Sequence, residues 1–293
     1  MEVIRFHLDN IPHFDSLCLA LGEFDGMHKG HQALVFEASL EEMNRAILLF
    51  ACPLPSKSKY VLTSLEDKIN LLKRDDELDY CLVIEDEIAS LSPREFIDKV
   101  LSPLGSKKII VGSDFRFGYQ GKGDVALLKE HFEVKEVPFV LTKGKKISTS
   151  SIRQDLLNGN LDEARFCLGR PYEVVGMSVK GKQMGRKMGF PTLNLSLKAP
   201  YVLPKEGVYV CLIYFQGRYF KGMVNVGSNP TIHAGESKHI EAHLFGYEGE
   251  DDYGFTCYVS FLSFIREEMT FSSITELEEQ LKKDKVVALS YED

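Results

Sequence analysis

The sequence changes its hydrophobic grammar near residue 168, and that change constrains the fold more than any other feature. Before it, apolar runs at 17–21, 46–51, 80–84, 108–112 and 134–139 alternate with helical patterns. Such alternation predicts a parallel sheet with helices on its faces. Two helix starts are legible. Ser92-Pro93-Arg94-Glu95 offers an N-cap serine, a proline at the first helical position and a glutamate at the third, and Thr63-Ser64-Leu65-Glu66-Asp67 opens another. From about Pro171 the runs 172–179, 208–215, 219–226, 239–245 and 255–264 read as strands separated by glycine turns. No helical pattern returns until 273–289. That half predicts an antiparallel barrel or sandwich closed by one terminal helix. The join falls in the helical stretch 161–168, ended by Gly169, so the expected domains are 1–168 and 169–293.

The chain has 293 residues, room for two ordinary domains. Its net charge of −8 argues against a nucleic-acid-binding face, so any anion site must be a local concentration of basic groups. The six cysteines are scattered without a C-x-x-C pair, which suits reduced core thiols in a cytoplasmic protein. Glu2, Arg5, Asp9 and Asp15 do not suit a signal peptide, and no apolar run approaches a membrane span.

The most informative motif is Gly22-Glu23-Phe24-Asp25-Gly26-Met27-His28-Lys29-Gly30-His31, directly after the run 17–21 and before a helical pattern. A strand, a glycine turn and a helix start carrying imidazoles make a site for phosphate. The helix N-terminus offers free N–H groups and the positive end of its dipole. His28 and His31, three apart, share one face of the first turn. The residues alone leave two other readings open, a pair of surface histidines or half of a metal site.

Two later segments suit a nucleotide. Val111-Gly112-Ser113-Asp114-Phe115-Arg116-Phe117-Gly118 follows a strand, and Ile147-Ser148-Thr149-Ser150-Ser151-Ile152-Arg153 places hydroxyls and a guanidinium at a helix start. No Walker P-loop sequence occurs. H-x-G-H followed by I-S-[ST]-S-x-I-R resembles the nucleotidyltransferase superfamily, and so a Rossmann-like domain. The fuller strings G-x-F-D-G-x-H-x-G-H and V-G-x-D-F-x-F-G look like the bacterial FMN adenylyltransferase domain. The resemblance implies that Gly22, Asp25, His28, His31, Ser150 and Arg153 hold ATP, with His28 and His31 catalytic. It also implies that Asp114 and Phe117, beside Gly112, line the flavin side.

The second half opens with Lys180-Gly181-Lys182-Gln183-Met184-Gly185-Arg186-Lys187-Met188-Gly189-Phe190-Pro191-Thr192-Leu193-Asn194. By spacing alone this is a basic turn followed by two oxygen-bearing side chains, Thr192 and Asn194, on one face of a strand. The string resembles the G-R-x-L-G-F-P-T-A-N signature of riboflavin kinase. Three features downstream agree: Asn225-Val226-Gly227-Ser228-Asn229-Pro230-Thr231; His239-Ile240-Glu241-Ala242-His243-Leu244 with Asp252-Tyr253-Gly254; and Phe264-Ile265-Arg266-Glu267-Glu268 with Phe271. The resemblance implies Glu241 as the base for an alcohol nucleophile, Thr192 and Asn194 as Mg²⁺ ligands, Lys182 and Arg186 over the ATP phosphates, and Asn225 and Arg266 at the flavin.

Both motif sets, in this order, resemble the bifunctional bacterial riboflavin kinase/FAD synthetase. That family would use ATP with Mg²⁺ to turn riboflavin into FMN and FMN into FAD, with neither nucleic acid nor membrane as partner. The rival readings are a riboflavin kinase with an altered first domain and a non-catalytic flavin- or nucleotide-binding regulator. Three departures stand out. Phe50-Ala51-Cys52-Pro53-Leu54-Pro55 replaces the usual T-F-D-P-H-P, residues 82–89 lack the customary aromatic and proline, and Leu193 replaces an alanine.

Overall fold

A computed structural model describes residues 1–52, 59–180, 192–228, 238–248 and 252–292. It divides into two compact units, Met1–Thr149 and Ser150–Asp293. The first holds β1 (Glu2–Phe6), β2 (Leu17–Ala20), α1 (Lys29–Ser39), β3 (Asn44–Phe50), α2 (Leu65–Asp75), β4 (Tyr80–Ile84), α3 (Pro93–Phe96), β5 (Ser106–Gly112), α4 (Val125–Lys129) and β6 (Glu133–Val137). The strands form one sheet in the order β1-β4-β3-β2-β5-β6, and every pairing is parallel.

The apolar runs are continuous because both faces of this sheet are covered. Along β2, Leu17 and Leu19 enter one core while Cys18 and Ala20 enter the other. Both legible helix starts form, each with a reciprocal capping box, at Ser64 with Asp67 and at Ser92 with Glu95. β1 carries no legible strand pattern because, as an edge strand, it is only partly buried and shows no long apolar run. After β2 the chain builds outward through β3 and β4, then returns to place β5 on the other side of β2. The carboxyl ends of β2 and β5 therefore flank a topological switch point, where ligands bind in open α/β sheets. A ribbon of β7 (Leu141–Thr142) and β8 (Lys145–Lys146) follows β6.

The helices α5 (Thr149–Leu157) and α6 (Leu161–Leu168) lead into β9 (Tyr172–Val179), β10 (Leu193–Leu197), β11 (Gly207–Phe215), β12 (Arg218–Ser228), β13 (Lys238–Leu244), β14 (Thr256–Arg266) and α7 (Ile274–Ser290). The strands close an antiparallel barrel in the order β10-β13-β12-β11-β14-β9. Its filling includes Tyr209, Phe215 and Phe261, all fully buried. On the outer wall, Val208, Val210, Met223 and Leu262 pack beneath Ala288 of α7. The compact second unit begins within α5, and α6 lies against β9 and β14.

None of the six cysteines is in a disulfide, and all but Cys52 are buried. Burial pushes the thiols of Cys18, Cys81 and Cys257 up to about 12 and that of Cys211 well above the usual range.

Candidate functional site

The loop between β2 and α1 is an unusual piece of backbone. Phe24, Gly26 and Met27 all have positive φ, at 53°, 84° and 44°. Two of these are non-glycine residues, for which that region is strained. The strain is held by a small network. The buried carboxylate of Asp25 accepts from the backbone N–H of Leu62 at 2.8 Å and of Thr63 at 3.0 Å. Gly26 N–H donates to Thr63 Oγ1 at 2.8 Å, and Thr149 Oγ1 donates to the Asp25 carbonyl at 3.1 Å. Asp25 thus shapes the loop by gripping the chain just before α2.

The loop delivers two imidazoles to the start of α1. His28 is the N-cap, and its Nδ1 accepts the His31 N–H at 3.3 Å. The two rings stack with centroids 3.7 Å apart and planes 14° from parallel, and Phe24 tilts against His31 at 5.2 Å. The glycines are spatial requirements: a Cβ at Gly30 would lie 3.1 Å from the His28 ring, and one at Gly22 would lie 3.3 Å from the Phe24 ring.

His31 Nδ1 is shielded from solvent and makes no hydrogen bond among the described residues. Burial holds the His31 imidazole well below its ordinary range, and the charges of His28, Lys68 and Lys146 push it the same way. A neutral imidazole with an unsatisfied buried nitrogen is placed to meet a polar ligand.

At the carboxyl end of β5, Asp114 is exposed and ion-paired with Lys146, which also lies over the Phe139 ring at 4.2 Å. Phe117 is held from the core side. It is 7% exposed, bridges to Gly123 and packs among Phe96 and Phe115 in the core. A Cβ at Gly123 would come within 2.7 Å of the Phe117 ring, so that glycine serves the packing. Ser150 is exposed and Arg153 half-buried on α5, in the second compact unit.

On the barrel the cross-strand register assembles what the sequence scatters. Glu241 on β13 stands directly opposite Asn194 on β10 and Asn225 on β12. Its neighbours Ile240 and Ala242 point into the barrel and are buried, so Glu241 faces out from the wall, half-buried. Thr192, just before β10, is also half-buried. His239, two residues along, brings Nε2 to 3.7 Å from Glu241 Oε1. Asn225 Nδ2 donates to Glu268 Oε1 at 3.2 Å, and a Cβ on Gly227 would fall 2.2 Å from that carboxylate oxygen. His239 shares the Glu241 face because residues two apart on a strand point the same way, whereas Glu268 reaches Asn225 through the chain that follows β14, which spacing does not encode.

Arg266 is engaged by the terminal helix. Its Nε and Nη2 donate to both oxygens of Asp284 on α7 at 2.7–3.0 Å, and its Nη1 donates to the Glu267 carbonyl. Asp284 is 1% exposed, so Arg266 ties the terminal helix to the barrel. Lys182, Arg186 and Pro191, the stretch Asn229-Pro230-Thr231, and Pro53, Leu54 and Pro55 lie outside the described residues.

Among the described residues no helix is long and apolar enough to cross a membrane. None of them form a group of three or more His, Cys, Asp or Glu that could hold a metal. The FAD synthetase family matches residues 11–151, and the riboflavin kinase family matches residues 168–291. The bifunctional riboflavin kinase/FMN adenylyltransferase of Bacillus subtilis is 35% identical over 93% of this chain and 92% of its own length. The protein of the same description from Escherichia coli K12 is 33% identical over 99% and 98%. A solved structure described as a macrolide-efflux protein from Streptococcus pneumoniae superposes with a TM-score of 0.87, at 31% identity and full coverage of both chains.

Proposed function

Because the chain belongs to the bifunctional riboflavin kinase/FMN adenylyltransferases, a family of transferases that make FMN and then FAD, we propose how its own residues divide the two reactions. We assign adenylyl transfer to the segment up to residue 168 and phosphoryl transfer to 169–293. The observation that carries the assignment of residues is the row Asn194–Glu241–Asn225 across three strands of the barrel wall.

In the kinase site the nucleophile is the ribityl 5′-OH of riboflavin, an alcohol that must lose a proton as it attacks the γ-phosphorus of ATP. Glu241 orients that hydroxyl and accepts its proton. Asn225 and Arg266 flank the flavin side, Arg266 by fixing the loop that follows β14. Thr192 and Asn194 supply a hydroxyl and an amide oxygen, hard donors that fit Mg²⁺ when ATP phosphates and water complete its shell. Mg²⁺ there offsets the phosphate charge. Lys182 and Arg186 cover the same phosphates.

In the adenylyl-transfer site a phosphate oxygen of FMN attacks the α-phosphorus of ATP, and pyrophosphate leaves with the bonding electron pair. The FMN phosphate is already anionic near neutral pH, so this site needs no strong base. His28 and His31 at the α1 N-terminus hold the ATP phosphates, with Ser150 and Arg153 from the later motif. Gly22 and Asp25 shape the loop that carries the histidines, and Asp114 and Phe117 border the flavin side. Six cysteines kept as thiols support a cytoplasmic setting.

Two variants test the division. Glu241→Gln is expected to lower FMN formation by roughly 10²–10⁴-fold and to leave conversion of FMN to FAD intact. His28→Ala is expected to do the reverse, with a loss of roughly 10²-fold. Loss of both activities in either folded variant would refute the two-site assignment.

A further inference from the structure

The first site has a cation that the motifs did not single out. Lys68 lies in the second turn of α2, and its Nζ donates to the carbonyl of Glu23 at 3.0 Å, inside the loop that delivers the histidines. The same stretch of chain holds that loop from below through Leu62, Thr63 and Asp25. The charges of Lys68 and Lys146 both bear on His31.

The two are not equivalent. Lys146 is directly paired with the carboxylate of Asp114. Lys68 has no carboxylate ion pair among the described residues. Its one hydrogen bond there is to a neutral carbonyl, which leaves two of its three N–H donors. Asp25 makes no ion pair with Lys68 among the described residues, and its Oδ1 accepts from the Leu62 and Thr63 N–H groups. Burial lowers the basicity of Lys68 against the opposing pull of Asp25 and Glu23, so an arriving anion would stabilise its ammonium form.

The chemistry of the site calls for such a group. His31 is held neutral, so the stacked imidazoles do not bring two full positive charges. In adenylyl transfer the bond from the α-phosphorus to the bridging oxygen breaks, and negative charge accumulates on the departing pyrophosphate. We propose that Lys68 is a phosphate-contacting residue of the adenylyl-transfer site, holding the pyrophosphate end of ATP beside His28 and His31. This rests on the assignment of those histidines to the ATP phosphates.

The test uses the full-length protein, whose kinase activity reports independently on folding. In FAD formation, Lys68→Met should raise the KM for ATP by roughly tenfold or more. The inhibition constant of added pyrophosphate should rise by a similar factor, while the KM for FMN and the rate of FMN formation from riboflavin stay within twofold. Lys68→Arg should restore most of the ATP affinity. In the wild-type protein, pyrophosphate should protect Lys68 from acylation by an amine-reactive ester, read by mass spectrometry, which requires no variant.

Unchanged ATP and pyrophosphate constants in Lys68→Met, or acylation of Lys68 indifferent to pyrophosphate, would overturn the inference. His28→Ala run in parallel separates the two levels. If it too leaves FAD formation at wild-type values, the assignment of the site has failed; if only Lys68→Met is silent, Lys68 alone was misread.

Discussion

His31 shows how far one side chain departs from its solution chemistry. Its imidazole is buried against His28 and Phe24, and two lysine charges act on it, so the folded state resists its protonation. An unfolded chain takes up that proton near pH 6.5. The unfolded state therefore binds more protons than the native state as pH falls below that value, and stability is lost in that direction. The first unit should lose stability between pH 7 and 5, and His31→Asn should flatten that slope in denaturant titrations. A slope unchanged by the substitution would mean that another group sets it.

Thiol chemistry is a second prediction at this scale. Cys18, Cys81, Cys211 and Cys257 are buried, with thiols pushed far up the scale, whereas Cys52 is half-buried. Among these five, Cys52 should react first with a thiol reagent under native conditions, and the other four only on unfolding.

At the scale of elements, two devices hold the barrel. Gly222 lets β12 and β13 approach closely, for a Cβ there would lie 2.4 Å from the His243 carbonyl oxygen and 2.8 Å from Ile213 Cδ1. Backbone cannot yield as a flexible side chain can. Gly222→Ala is expected to destabilise the barrel by about 1–3 kcal/mol, the usual cost of overpacking, and to lower FMN formation through the register that aligns Glu241 with Asn225. The second device is the pair Arg266–Asp284, with side chains 16% and 2% exposed. Asp284→Asn leaves a guanidinium half-paired in a dry site and should cost about 3–5 kcal/mol. Calorimetry should show the loss in the transition of the second unit, with that of the first unchanged.

Much of this level is legible in the chain. The reciprocal caps at Ser64 and Ser92 are local and form as their spacing predicts. β1 was not legible because an edge strand needs no continuous apolar run. Phe117 and Arg266 sit in loop motifs, and the core around Phe96 and the buried Asp284 engage them. Both partners are remote in sequence, so no local pattern announces them.

For the whole molecule, two compact units with separate cores imply two largely independent stabilities and two chemistries in one chain. From riboflavin, ATP and Mg²⁺, a time course should show FMN before FAD, followed by chromatography. FAD appearing without prior FMN would contradict the order. Denaturation should resolve two transitions, and pH should move chiefly the one belonging to the unit that contains His31.

The sequence by itself determined the two fold classes, the switch-point motif and the residue types available at each site. Those follow from hydrophobic period, turn residues and caps, which act over a few positions. Only the tertiary structure decided that Glu241 stands between Asn194 and Asn225, that burial disfavours protonation of His31, and that Lys68 reaches the Glu23 carbonyl in the histidine loop. Register, burial and the fields of distant charges depend on elements brought together across tens of residues. A one-dimensional pattern carries the means of forming such contacts but does not state which of them form.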